Sequence, residues 1–289
     1  ALGGFLARFR DEGLAASIAA AAGVDAAEVR RRLLIYLNEV PVGLAAIEAH
    51  LRPGQRILEV GAGLGVLALY LRVQGFDVTA LEPADTGFDM FAAARAAIAA
   101  RVPEVALPVV PLPVEDLDPS RHGRFDLIYS SHVLEHVTDI DRAFERMARC
   151  IEPDGIMVHL CPNYLVPYDP HFGLPVLAAL PGVTQLLFKD RIATMPDVWR
   201  SLNFITATAV RRSARRAGLR VHFERGTLAA AVARMRADPI FRERHGGLAA
   251  RVAMWLLGPL SVSGALGAVP GWLASPMLFN ARHGARSAR

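Results

Sequence analysis

A chain of 289 residues, 53% hydrophobic and 21% charged, can bury a substantial core, which places it with globular proteins and excludes disorder. Its two cysteines, Cys150 and Cys161, are too few for a disulfide framework or a thiolate metal cluster, so a reducing, cytoplasmic setting is expected. The net charge of +4 rests on arginine, Lys189 being the only lysine, and no basic run is interleaved with aromatics, so nucleic acid is not an expected partner.

The first residues lack the basic start, apolar middle and small-residue cleavage site of a signal peptide, so secretion is not expected. Phe5, Leu6, Phe9, Ile18, Leu33, Leu34, Tyr36 and Leu37 recur at helical spacing, which predicts a helical lead-in over residues 1–50. Pro53-Gly54 breaks that pattern, and Arg56 to Val60 reads as a strand. A helix from Leu64 to Val73 follows, closed by Gly75, and then a strand from Val78 to Leu81 that ends in Glu82. An alanine-rich helix from Phe91 to Arg101 leads to a short strand near Leu107 to Val110. Phe125 to Ser130 is the next strand and Asp139 to Cys150 the next helix. Ile156 to Cys161 is a fifth strand, placed after a turn at Pro153-Asp154-Gly155.

Strand and helix thus alternate through a core at residues 51–161, which calls for a parallel sheet with helices on both faces and a ligand at the carboxyl ends of the strands. Residues 162–203, rich in proline and aromatics, read as an inserted cap. A helix from Phe204 to Ala217 and a strand from Leu219 to Phe223 resume the pattern within residues 204–226, and Arg211, Arg212, Arg215 and Arg216 read as the solvated face of that helix. Residues 227–275 read as a second, mainly helical and apolar insertion. Residues 276–289 hold a last strand, Met277 to Arg282, returning antiparallel, and a tail. The fold class is therefore α/β, a Rossmann-like, mainly parallel seven-stranded sheet with helices on both faces and helical cap insertions.

From Val252 to Ala281 no Asp, Glu, Lys or Arg occurs, a length that can cross a bilayer, but Gly258, Pro259, Gly264, Gly267, Pro270 and Gly271 would break such a span. A buried or interfacial segment is expected instead. Trp255, Leu256, Leu257, Leu260, Leu266, Val269, Trp272 and Leu273 can line an apolar pocket, join two copies as a homodimer, or give peripheral membrane contact, so residues 248–275 carry all three readings.

The chemistry begins at Glu59-Val60-Gly61-Ala62-Gly63-Leu64-Gly65. Glycines let the backbone turn sharply and approach a ligand closely, and a helix N-terminus adds unpaired N–H groups. The spacing is G-x-G-x-G, since Val66 stands where a dinucleotide fingerprint needs its third glycine, and no Gly-Lys-Ser/Thr follows as in a P-loop. A nicotinamide-dependent oxidoreductase shares the alternating architecture but is disfavoured by Val66.

This segment resembles the first motif of the class I S-adenosylmethionine-dependent methyltransferases, and the likeness covers residues 55–163, then more faintly 204–223 and 277–284. The resemblance implies S-adenosylmethionine as cofactor and S-adenosylhomocysteine as product, with no metal. It implies that the turn at Gly61, Ala62, Gly63 and Gly65 wraps the methionine part and that Glu59 helps to hold its amino group. It puts Glu82, followed by Pro83, on both ribose hydroxyls, and Val114 with Glu115 or Asp116 on the adenine edge. Ser130, Ser131 and His132, in the stretch F-D-L-I-Y-S-S-H-V-L-E-H-V, would lie at the end of the fourth strand beside the sulfonium. His136 in the same stretch is as open to a structural as to a catalytic role.

Methyl transfer from a sulfonium needs positioning and exclusion of water, and a base only where the acceptor must lose a proton. His171, His132 and Tyr168 are the catalytic candidates. Asn163, Tyr164, Tyr168, Asp169 and His171, in the stiff loop after the fifth strand, are the acceptor-binding candidates, against a rigid structural cap as the other reading. The second, apolar insertion suggests a hydrophobic small molecule or lipid-linked acceptor, in a cytoplasmic or membrane-associated protein; O-methylation in small-molecule biosynthesis is favoured, while oxygen, nitrogen and carbon acceptors all share this fold. A protein that binds the cofactor without transferring its methyl group is the other reading.

Overall fold

The computed structural model describes residues 1–83, 90–245, 247 and 264–284. The chain divides into two compact units, one formed by Ala1–Ser131 with Arg149–Val158, the other by His132–Ala148 with His159–Arg289. Its strands are β1 (Arg56–Val60), β2 (Asp77–Leu81), β3 (Val109–Val110), β4 (Phe125–Ser131), β5 (Ile151–Cys161), β6 (Leu219–Phe223) and β7 (Met277–His283). They form one seven-stranded sheet in the order β3-β2-β1-β4-β5-β7-β6. β1 runs parallel to β2 and β4, β2 parallel to β3, and β6 antiparallel to β7, so the sheet is the mainly parallel one that the alternation predicts.

In the first unit, the lead-in consists of α1 (Leu2–Ala7), α2 (Glu12–Ala22) and α3 (Ala26–Ile47). Asp11 and Asp25 start the last two as side-chain caps, accepting from Leu14 N–H at 2.9 Å and Glu28 N–H at 2.8 Å. Helix α4 (Val66–Val73) begins directly after the glycines, and α5 (Met90–Ala99) and α6 (Pro119–His122) complete the unit. Ile57, Leu58, Val78, Ala80, Leu127 and Ile128 are fully or almost fully buried, as strands covered on both faces must be. The largest boundary difference from the sequence expectation is in β5, which runs through Pro153-Asp154-Gly155 instead of starting after a turn there. Gly155 serves close approach, since a Cβ on it would lie 2.8 Å from Ile151 Cγ1 and 3.0 Å from the Asp126 carbonyl oxygen.

The second unit holds α7 (Ile140–Cys150) for most of its length, then α8 (Pro181–Leu187), α9 (Lys189–Ile192), α10 (Pro196–Ser201), α11 (Ala207–Arg216), α12 (Thr227–Ala237) and α13 (Pro239–His245). Phe144, His159, Phe223 and Phe279 build its aromatic core, with Phe144 and Phe279 stacked at 6.4 Å between ring centroids. Of the apolar insertion, Trp255, Leu256, Leu257 and Leu260 lie outside the described residues. Leu266 is buried, while Trp272 and Leu273 are partly exposed. Among the described residues, no helix is long and apolar enough to cross a membrane.

Candidate active site

In the first unit, β1 delivers Glu59 and β2 delivers Glu82 to the same end of the sheet, on either side of the glycine turn. Gly61 and Ala62 N–H groups both donate to the Leu81 carbonyl, at 2.7 and 3.2 Å, which ties the turn to the end of β2. Gly63 (φ 54°) and Gly65 (φ 71°) occupy the left-handed region, where a side chain is strained. A Cβ on Gly63 would sit 3.9 Å from Tyr36 of α3, and one on Gly65 would meet Leu107 at 3.0 Å. Gly65 is also the N-cap of α4, so its conformation starts the helix.

Both acids are buried. Glu59 Oε2 accepts the Ala68 N–H in the first turn of α4 at 3.1 Å, and Glu82 Oε2 accepts the Gly63 N–H at 2.9 Å. Burial pushes the Glu59 carboxyl up to about 8 against the opposing pull of its hydrogen bonds, and the neighbouring charge of Glu82 adds to the rise. Glu82 is raised too, chiefly by burial, with the Gly63 N–H and the charge of Arg95 opposing. Arg95 itself donates to the Gly63 carbonyl at 2.8 Å. Among the described residues, no basic side chain forms an ion pair with Glu59. Two buried carboxylates flanking a turn of bare backbone fit a ligand that brings a cation and a diol.

The remaining cofactor candidates lie on the same unit apart from His132. Pro83 follows β2, half-buried. Val114 is buried and Glu115 half-buried in a single 3-10 turn, Val114–Asp116, while Asp116 is exposed. Ser130 is buried and Ser131 half-buried at the end of β4. His132 comes next in the chain, in the second unit, and holds a left-handed φ of 56°, costly for a residue with a side chain; its N–H donates to the Leu160 carbonyl at 2.8 Å.

The second unit gathers a polar cluster. His171 Nδ1 lies 3.3 Å from Asp169 Oδ2, and the fully buried Asp169 also accepts from the Tyr164 hydroxyl at 2.6 Å and from Phe172 N–H at 2.8 Å. Burial alone would raise Asp169, but the hydrogen bond and charge of His171, with the other two donors, outweigh it and bring the carboxyl below its ordinary value. Tyr168 lies 3.5 Å from His245 Nδ1 through its hydroxyl, which burial and the Asp169 charge push up to about 12. Tyr168 therefore keeps its proton near neutral pH and can donate a hydrogen bond. Asn163 is committed to the chain itself: Nδ2 donates to the Trp272 and Ala274 carbonyls at 2.9 and 3.0 Å, and Oδ1 accepts from Leu165 and Ala207 N–H at 3.2 and 3.1 Å. Those bonds leave its amide no hydrogen to offer an acceptor.

Sequence reasoning passed over Glu135. It is fully buried, lies 3.9 Å from His132 Nδ1 and 4.0 Å from His171 Nε2, and burial pushes it up to about 7 against the charge of His171. The signal was present in V-L-E-H-V, an acid inside an apolar run just past a strand, the same anomaly that marks Glu59. Tyr36 was read as one more apolar helix position, and only its place over Gly63 sets it apart.

A methyltransferase-domain family model matches residues 9–223. An uncharacterized protein of Mycobacterium tuberculosis is 35% identical over 222 residues, 73% of this chain and 71% of the relative. A ubiquinone biosynthesis O-methyltransferase of Rhodopseudomonas palustris is 33% identical over 105 residues, 36% of this chain and 39% of the relative. Among solved structures, an S-adenosylmethionine-dependent methyltransferase of Mesorhizobium loti is alike in fold, with a TM-score of 0.52 at 19% identity over 83% of this chain and 96% of its own.

Proposed function

Because the chain belongs to the class I S-adenosylmethionine-dependent methyltransferases, we propose that its glycine turn and two buried acids bind that cofactor and that it methylates a hydroxyl of an apolar small molecule. The observation that carries the reading is the pair Glu59 and Glu82, buried beside a turn whose backbone is left-handed at Gly61, Gly63 and Gly65. Glu82 keeps Oε1 for ribose hydroxyls while Oε2 holds the Gly63 N–H; Glu59 faces the amino group; Tyr36 covers the turn. Val114 and Glu115 take the adenine edge, and Pro83, Ser130 and Ser131 complete the lining. Family membership replaces the nicotinamide reading.

Bound S-adenosylmethionine supplies an electrophilic methyl group and is released as S-adenosylhomocysteine. His132 accepts the hydroxyl proton of the acceptor, its Nδ1 facing Glu135. His171, fixed by Asp169 through Nδ1, positions the acceptor oxygen, and Tyr168 donates a hydrogen bond to the acceptor. Apolarity of the acceptor is supported by Leu177, Leu180, Val183, Leu186 and Leu187, 44–77% exposed in a stretch without a charge from Phe172 to Phe188. Transfer to oxygen is supported by the likeness to the ubiquinone O-methyltransferase. The test is to incubate the chain with methyl-labelled cofactor and a panel of phenols of rising alkyl length. Label in the ether of the longer members is expected; label in none, with amines labelled instead, would overturn the oxygen assignment.

A further inference from the structure

Glu135 poses a problem that methyl transfer does not solve. Its carboxylate is wholly out of solvent, and neither oxygen has a hydrogen-bond partner. Buried acids are ordinarily bonded, and one left bare calls for an explanation. Two of the histidines near it, His136 and His171, are already oriented. Ser201 Oγ gives its hydrogen to the Val198 carbonyl at 2.8 Å, so at 2.8 Å from His136 Nδ1 it must accept, and His136 carries its proton on Nδ1. Asp169 Oδ2 likewise accepts from His171 Nδ1 at 3.3 Å. Each ring is thus fixed through Nδ1 and presents Nε2 as a lone pair, and the His171 Nε2 lies 4.0 Å from Glu135 Oε1. One ligand atom each from Glu135, His136 and His171 falls within 4.8 Å of the other two.

We propose that Glu135, His136 and His171 form a binding site for a divalent transition-metal ion, Zn²⁺ in type, with Asp169 and Ser201 as the outer partners that set both imidazoles. Two imidazoles and a carboxylate leave coordination positions open, as catalytic sites do and structural sites do not. Nδ1 bonds to a carboxylate or hydroxyl are what orient metal-bound histidines. Bond lengths of about 2.0–2.2 Å require the ligand atoms to draw in slightly from their present spacing. The sequence expectation of no metal rested on cysteine count and on the family, neither of which bears on an imidazole and carboxylate site. The role of the ion, to hold the acceptor oxygen at an open position while His132 takes the proton, rests on the proposed O-methylation; the site itself does not.

The experiment strips the full chain with a chelator, titrates it with Co²⁺ and reads visible absorption, then displaces Co²⁺ with Zn²⁺ and measures metal content. One equivalent, bound with the intense bands of a four- or five-coordinate ion, is expected. Glu135→Gln and His171→Asn should each weaken it at least a hundredfold, and Asp169→Asn by about 10–100-fold. S-adenosylhomocysteine affinity, measured on each variant, serves as the check of folding. Absence of a stoichiometric Co²⁺ band in the wild-type chain, or a band unchanged in both ligand variants, would overturn the site. Stoichiometric metal without S-adenosylhomocysteine binding would instead leave the site standing and remove the cofactor reading.

Discussion

Glu59 shows how one buried acid ties stability to ligand binding. Its folded carboxyl holds a proton to about pH 8, whereas the unfolded chain releases it near 4.5. Between those values the folded state binds more protons, so stability falls as pH rises. Glu59→Gln should abolish that fall, leaving the variant more stable than the wild type at pH 8 by on the order of a few kcal/mol and little different at pH 5; parallel denaturant curves at the two pH values check this. A cation beside Glu59 favours the ionised form, so cofactor binding at pH 7 should release up to about one proton. Calorimetry in buffers of different ionisation enthalpy reads it, and zero release would separate Glu59 from the cofactor's amino group. At this scale the sequence spoke clearly where a residue type broke its surroundings, as Glu59 does inside an apolar strand. It was silent on Asn163, because a loop asparagine looks the same whether it faces a ligand or, as here, knots the backbone at Leu165, Ala207, Trp272 and Ala274.

Elements depend on a few backbone positions. The link from β1 to α4 turns on Gly65, whose φ of 71° and 3.0 Å approach to Leu107 leave no place for a side chain. Gly65→Ala should cost about 1–2 kcal/mol, seen as a lowered melting temperature, and an unchanged midpoint would show that the turn relaxes freely. Asn163→Ala removes four side-chain bonds that tie the loop after β5 to α11 and the turn before β7, and a loss of about 2–6 kcal/mol in denaturant unfolding is expected at roughly 0.5–1.5 each. The element order was legible because period and punctuation agree over most of the core: β6 begins and ends where its alternating run does. β5 was not, because proline and glycine mark a turn in sequence, while here Gly155 marks contact with the Asp126 carbonyl, which only the paired strand reveals.

For the whole molecule, the proposed cofactor residues Glu59 and Glu82 belong to the first unit and the proposed acceptor residues to the second. The cofactor motifs were readable because they are contiguous; the cluster of Glu135, His136, Asp169 and His171 was not, since its members come from two segments more than thirty residues apart. Replacing Leu186 and Leu187 together by serine should raise KM for an apolar acceptor and leave S-adenosylhomocysteine affinity unchanged, since both side chains are 69–77% exposed in the second unit. Equal KM for short and long acceptors in that variant and the wild type would show the patch is not used. The most direct test of the whole account is calorimetric titration of S-adenosylhomocysteine into the wild-type chain and Glu82→Ala. One site in the wild type, weakened by about 1.5–3 kcal/mol in the variant, is the predicted result; no binding in the wild type, or equal affinity in both, would contradict it.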